Sequence, residues 1–91
     1  MLSDVTNNEA ESRYELAAEG GTAIAAYRLS GDRIVFTHTE VPPELEGQGI
    51  GSALIRGALD QARTAGLKVV PACAFVRGYI ERHPEYRDLL A

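Results

Sequence analysis

The stretch from Gly47 to Ser52, Gly-Gln-Gly-Ile-Gly-Ser, constrains the fold of this chain more than any other. It follows a β-branched and aromatic run that is typical of a strand, and it precedes a segment whose apolar residues recur at helical spacing. A strand that enters a helix through a glycine-rich turn leaves backbone N–H groups unpaired at the positive end of the helix dipole. The stretch therefore predicts a binding site for an anionic group.

Two common phosphate-binding motifs do not fit this stretch. The P-loop requires a lysine directly after its last glycine, whereas Lys68 lies far downstream. The dinucleotide-binding fingerprint has the spacing Gly-x-Gly-x-x-Gly, but the spacing here is Gly-x-Gly-x-Gly. Neither an NTPase nor a Rossmann enzyme is favoured, and a plain connector between strand and helix remains the structural alternative.

Composition excludes several classes of protein. The chain has 91 residues and a formal net charge of −4 with no basic cluster, so we expect one small domain and no nucleic-acid partner. A single cysteine, Cys73, allows no internal disulfide and no thiolate metal cluster, and we expect no metal site. No apolar run approaches the ~18 residues of a membrane span, and the N-terminus has no signal-peptide pattern. We therefore expect a cytoplasmic protein with no membrane partner.

The residue pattern predicts an α+β fold in one domain over residues 1–91. Residues 1–11 are polar and are expected to be flexible. Three strands joined by tight turns then form an antiparallel meander, at Ser12 to Ala18, Thr22 to Leu29 and Arg33 to Val41. An α-β-α unit follows, with a helix over residues 52–65, a fourth strand over 67–72 and a second helix over 75–82. The fourth strand should lie parallel to the third through a right-handed crossover.

Residues 41–54 resemble the acetyl-CoA-binding motif of the GNAT-type N-acetyltransferases, which is commonly Arg/Gln-x-x-Gly-x-Gly/Ala. Gly49 and Gly51 match the two small positions, and Glu46 stands where the family usually has Arg or Gln. The resemblance extends from about Tyr14 onward, but the family's N-terminal strand and first pair of helices are missing. Residues 71–86 resemble the small single-domain YjdJ-type subgroup, so the resemblance implies a truncated GNAT-like fold.

The resemblance also implies which residues contact acetyl-CoA. The glycine-rich turn would hold the pyrophosphate through Gly47, Gln48, Gly49, Ile50, Gly51 and Ser52. The pantetheine arm would bond the backbone of the third predicted strand around Thr39, Glu40 and Val41. The thioester would then lie in the gap between the third and fourth predicted strands.

Cys73 has the most interesting side chain, because it follows the fourth predicted strand and precedes the second helix. By the resemblance it stands where many family members have an asparagine that bonds pantetheine, so cofactor contact is its first expected role. A thiol there can also act as a nucleophile for the acetyl group or as an acid for the CoA thiolate. The structural alternative is a small buried hydrophobic residue.

Acetyl transfer to an amine also requires a base, and two candidates share the third predicted strand. His38 and Glu40 have the same parity, so both should point to one face. Either could deprotonate the acceptor amine, or both could simply be solvated. The tyrosine that the family often uses as an acid aligns with Ile80, and Tyr79 is one residue away.

The predicted function is transfer of an acetyl group from acetyl-CoA to an unknown primary amine, on a protein, a peptide or a small polyamine. The alternative is a CoA-binding module or sensor with little catalytic activity. We expect a monomer or weak dimer, because an exposed sheet edge can pair with a second copy.

Overall fold

The computed structural model describes residues 5–91, in which five strands form one sheet with the order β1-β2-β3-β4-β5. The regular elements are β1 (Thr6–Asn8), β2 (Arg13–Ala18), β3 (Gly21–Ser30), β4 (Arg33–Glu40), α1 (Ile50–Thr64), β5 (Lys68–Pro71) and α2 (Ala74–Arg82). Short 3-10 helices cover Glu9–Glu11, Pro43–Leu45 and Pro84–Leu89.

The topology confirms the predicted α+β fold. Strands β2, β3 and β4 form the antiparallel meander, and β5 pairs in parallel with β4 after the crossover through α1. Turns at Gly20 and Gly31 join the meander, and both glycines have positive φ angles, which suit a residue without a side chain.

A short edge strand that the sequence did not predict precedes the meander. Thr6–Asn8 pairs antiparallel with β2, and the side-chain amide of Gln61 on α1 donates to the carbonyl of Val5 at 2.7 Å. The sequence of β1 is Thr-Asn-Asn, whose polar residues show no apolar alternation. The predicted flexibility of residues 1–11 stays a prediction, and residues 1–4 lie outside the described residues.

Both helices pack on one face of the sheet. The inward residues of the strands and the apolar faces of α1 and α2 form one buried cluster, whose strand members include Tyr14, Leu16, Ala25, Tyr27, Ile34 and Phe36. Gly57, in the middle of α1, has no space for a side chain, because a Cβ there would lie 2.7 Å from the Cβ of Val5. The glycine therefore lets α1 pack closely against Val5. The opposite face of the sheet has no helix on it within residues 5–91.

A β-bulge in β4 reverses the face of the sheet to which each residue after the bulge points. Ala26 pairs with His38 and Tyr27 pairs with Phe36, so Thr37 is an extra residue on β4. Thr39 therefore pairs with the fully buried Ala25 and faces the helices.

No helix within residues 5–91 is long and apolar enough to cross a membrane.

Candidate functional site

A cleft of about 770 Å³ opens where β4 ends and α1 begins. It contains most of the residues that the sequence assigned to cofactor binding. Its lining is formed by Thr22, Thr39, Glu40, Val41, Pro42, Pro43, Leu45, Glu46, Gly47, Gly49, Ile50, Gly51, Ser52 and Phe75.

One wall of the cleft is the splayed end of β4. The parallel pairing of β4 with β5 ends at Phe36 and Pro71, because proline has no N–H to continue the ladder. The N–H of Cys73 makes the last contact, donating to the carbonyl of Phe36 at 2.9 Å. Beyond this point, β4 has no strand partner on that side in the described part of the chain. The predicted gap between the two parallel strands is therefore present.

The opposite wall is the turn into α1. Gly47 and Gly49 have φ angles of 82° and 77°, in the left-handed region that favours glycine. Gly49 is the N-cap of α1 and supplies no side-chain hydrogen bond, so the N–H groups at positions 50–52 remain open for an acceptor. Gly51 is needed for packing, since a Cβ there would lie 2.6 Å from Cζ of Phe75.

In the cleft, the groups that could attract an anion are on the backbone and not on charged side chains. No acidic residue lies in the first turn of α1, so nothing there opposes the positive end of the helix dipole. The charged side chains that line the cleft are Glu40 and Glu46. Gln48 is exposed and does not line the cleft, and its side-chain amide donates to the carbonyl of Glu44 at 3.1 Å. An anion at this turn would therefore be held by N–H groups.

Cys73 lies beside the cleft as the N-cap of α2. Its sulfur is 3.3 Å from the hydroxyl of Thr39 and hydrogen-bonded to it. Partial burial raises the pKa of the Cys73 thiol, but the bond with Thr39 and the first N–H groups of α2 lower the pKa by more. The net pKa therefore lies below its ordinary value, which favours the reactive thiolate.

We expect Thr39→Val to make this thiol less reactive near neutral pH. The Thr39 hydroxyl stabilises the thiolate, and a hydrogen bond to a charged group contributes about 1.5 kcal/mol or more, so its loss should raise the midpoint by about one pH unit. The rate of Cys73 alkylation by iodoacetamide against pH measures this midpoint. Thr37→Val is the matched control, because Thr37 lies on the same strand but bonds the carbonyl of Ala26. An equal midpoint in both variants would contradict the assignment.

His38 and Glu40 lie together on the sheet face away from the helices, which confirms that they share a face. Nε2 of His38 is 3.0 Å from Oε2 of Glu40, and their side chains are 59% and 67% exposed. An exposed pair of this kind contributes little to stability. Glu40 also lines the cleft, whereas His38 does not. The structure therefore brings only one of the two candidate bases to the cleft.

The tyrosine near the C-terminal half of α2 is directed away from the cleft. Tyr79 is 3% exposed and its ring stacks on His83 at 3.9 Å between centroids. Ile80 is also buried, so neither residue lines the cleft.

Sequence reasoning missed Phe75, the one α2 residue that lines the cleft. The only sequence signal was an aromatic residue two positions after the cysteine, at the start of the predicted second helix.

Comparison with known proteins shows to which family and fold the chain is similar. Residues 13–89 match the family model of the GCN5-related N-acetyl-transferases. The fold is similar to the NMR solution structure of a GCN5-like candidate N-acetyltransferase from Staphylococcus aureus, with a TM-score of 0.75 and 26% identity. That likeness covers 99% of this chain and 89% of the other. No curated protein matches the chain.

The chain therefore belongs to the GCN5-related N-acetyltransferase family.

Proposed function

We propose that this protein binds acetyl-CoA in the cleft and transfers its acetyl group to a primary amine. The observation that carries the proposal is the combination of an uncapped α1 N-terminus, preceded by two left-handed glycines, with an unpaired backbone edge on β4. Family membership supports the acetyltransferase class.

The residues present fit the cofactor that the family uses. The turn has open space at Gly47 and Gly49, and the N–H groups at positions 50–52 suit a pyrophosphate. The backbone of Thr39 and Glu40 at the end of β4, and of Val41 directly after it, would offer the hydrogen bonds that a pantetheine amide needs. When bound, acetyl-CoA supplies an acetyl group activated as a thioester.

The side chains near the gap would take part in proton transfer and in cofactor contact. Glu40 lines the cleft and would accept the proton that the acceptor amine loses, with His38 hydrogen-bonded to its carboxylate. Cys73 would contact the cofactor beside Thr39. Its lowered pKa also suits a nucleophile, while a thiol that remains protonated suits an acid.

A second candidate function is a CoA-binding module with little turnover. The buried position of Tyr79 favours it, because α2 presents no tyrosine hydroxyl to the cleft. Acetyl transfer to test amines distinguishes the two functions, since only the first predicts turnover.

The proposed acceptor is a cationic amine. Both charged side chains that line the cleft are carboxylates, and the formal net charge of the chain is −4. A small polyamine or a peptide amine fits this charge. The predicted YjdJ-type subgroup and the single-domain organisation over residues 1–91 belong to the same proposal.

Thermal unfolding with saturating ligand tests cofactor binding directly. A ligand at about 100 times its dissociation constant adds about 2.7 kcal/mol of stability, which is several degrees for a domain of this size. We expect acetyl-CoA and CoA to raise the melting temperature more than ATP does. The absence of a shift with both CoA compounds would refute the proposal.

A matched pair of glycine variants makes the test specific. Gly49 and Gly31 have φ angles of 77° and 61°, and neither has an atom within 4 Å of an added Cβ. Gly49→Ala and Gly31→Ala should each lose about 1 kcal/mol, because alanine disfavours positive φ. Only Gly49→Ala should also lose much of the shift with acetyl-CoA.

A further inference from the structure

A second pocket, of about 400 Å³, lies between the edge of the sheet and the C-terminal turn of α1. Its polar lining comes from Asn7, Glu9, Ser12, Tyr14, Tyr27 and Gln61. It also touches Ile34, five residues before Thr39 on β4, so the pocket and the cleft are separated by about 16 Å of strand. This pocket is therefore distinct from the proposed acetyl-CoA site.

Tyr14 presents an unpaired hydroxyl to this pocket. Its side chain is 2% exposed and makes no hydrogen bond within the described part of the chain. No buried side-chain oxygen or nitrogen lacks a partner among residues 5–91, so the small accessible surface of Tyr14 must include its hydroxyl. The neighbouring hydroxyl of Tyr27 already donates to Oδ1 of Asn7 at 2.6 Å. The Tyr14 hydroxyl is thus accessible in the pocket and has no protein partner among residues 5–91, so a polar ligand can bond it in place of water.

The electrostatics of the pocket favour a cation. Burial raises the pKa of Tyr14 to about 12, and the carboxylate of Glu9 adds to the rise. Burial also raises the pKa of Tyr27, and Glu9 again contributes to the rise. Glu9 lines the same pocket as both tyrosines. Gln61 lies in the last turn of α1 and Ala65 is its C-cap, at the negative end of the helix dipole.

The walls fit an organic cation better than a bare metal ion. The rings of Tyr14 and Tyr27 lie 5.2 Å apart between centroids, and both line the pocket. Only small parts of these two residues are accessible, since Tyr14 is 2% and Tyr27 is 7% exposed, whereas Leu29 in the same lining is 58% exposed. The remaining lining includes apolar side chains such as Leu29 and Leu67, and none of the described lining residues is Lys or Arg. No group of three His, Cys, Asp or Glu side chains among residues 5–91 could hold a metal ion.

We propose that this pocket binds a small alkylammonium ion, whose N–H groups donate to the Tyr14 hydroxyl and the Glu9 carboxylate. The alkyl part would lie on the tyrosine rings and the apolar wall. The proposal does not depend on acetyl-CoA binding, and a ligand in this pocket lies too far from the cleft to be the acetyl acceptor.

A two-dimensional ¹H-¹⁵N NMR titration of the whole chain without acetyl-CoA tests the proposal. We expect n-butylammonium to shift the side-chain amides of Asn7 and Gln61 saturably. The neutral 1-butanol and the anionic pentanoate have the same butyl chain, and 1-butanol should bind about fivefold more weakly, as expected for one partly exposed ion pair. The absence of a saturable shift, or equal affinity for 1-butanol, would overturn the proposal.

Variants of Glu9 and Tyr14 test whether these two side chains contact the n-butylammonium ion. Glu9→Gln should weaken n-butylammonium binding about fivefold, whereas the control Glu11→Gln, on the same 3-10 helix but not lining the pocket, should leave it unchanged. Tyr14→Phe keeps the ring and should weaken binding while leaving the overall spectrum folded. Unchanged affinity in Glu9→Gln would overturn the assignment even if the pocket binds the probe.

Discussion

Phe36→Ala is expected to lose about 3–5 kcal/mol of unfolding free energy, the usual range for a fully buried phenylalanine. Phe36 is 1% exposed, and its ring centroid lies 6.1 Å from that of Tyr14 and 6.5 Å from that of Tyr27. It also stands at the last paired position between β4 and β5, where the gap begins. Urea denaturation followed by circular dichroism measures the loss.

The other phenylalanine of the chain supplies the control. Phe75 is 39% exposed and lines the cleft against Gly51, so Phe75→Ala should cost only about 1 kcal/mol. We expect this variant to weaken acetyl-CoA binding while keeping the fold, since it removes an apolar wall of the proposed site. Similar stability losses in the two variants would show that Phe75, and not only Phe36, belongs to the core.

Glu40→Gln is expected to lower the acetylation rate by about 10²-fold or more, because a positioned general base typically contributes 10² to 10⁴. Glutamine keeps the size of the side chain but accepts no proton at neutral pH. The release of CoA in the presence of a polyamine measures the rate. The melting temperature with acetyl-CoA should change little, since Glu40 offers the cofactor only its backbone.

Glu44→Gln is the matched control for the loss of the Glu40 charge. Glu44 is exposed in the 3-10 helix next to the cleft but does not line it, so its turnover should equal that of the unmodified protein. If Glu40→Gln retains full turnover, the base lies elsewhere. If the unmodified protein binds acetyl-CoA but has no turnover with any amine, the CoA-binding module becomes the better proposal.

The strands and helices were predictable because their burial follows their sequence periodicity. Val69 and Tyr14 are buried where the alternation of β5 and β2 places them, and Leu54 and Leu59 are buried where the helical repeat of α1 places them. The resemblance to the family then located the cleft.

Three features depend on tertiary contacts that no local pattern encodes. The polar strand β1 is held by pairing with β2 and by the contact between Val5 and Gly57. The bulge at Thr37 has no signal in the sequence of β4, in which β-branched residues stand both before and at the bulge. The wall that Phe75 adds to the cleft depends on how α2 lies beside α1.

The C-terminal segment also has a tertiary contact that could not be predicted from the sequence. Pro84–Leu89 is a 3-10 helix with Tyr86 and Leu89 buried. The sequence did not predict that the N–H of Ala91 would donate to the carbonyl of Val69 at 3.0 Å. That bond attaches the chain end to the edge of β5, a non-local pairing that depends on the completed fold.

The extra residue in β4 also affects how the site can change by mutation. It separates the second half of the strand into a side that faces the helices, at Thr39, and a side that faces outward, at His38 and Glu40. Substitutions at 38 and 40 can therefore alter what approaches from outside without disturbing the contact between Thr39 and Cys73. Deletion of one residue would exchange the two sides, because strand parity has a period of two. The strand geometry at this site therefore tolerates substitutions at 38 and 40 but not single-residue changes in length.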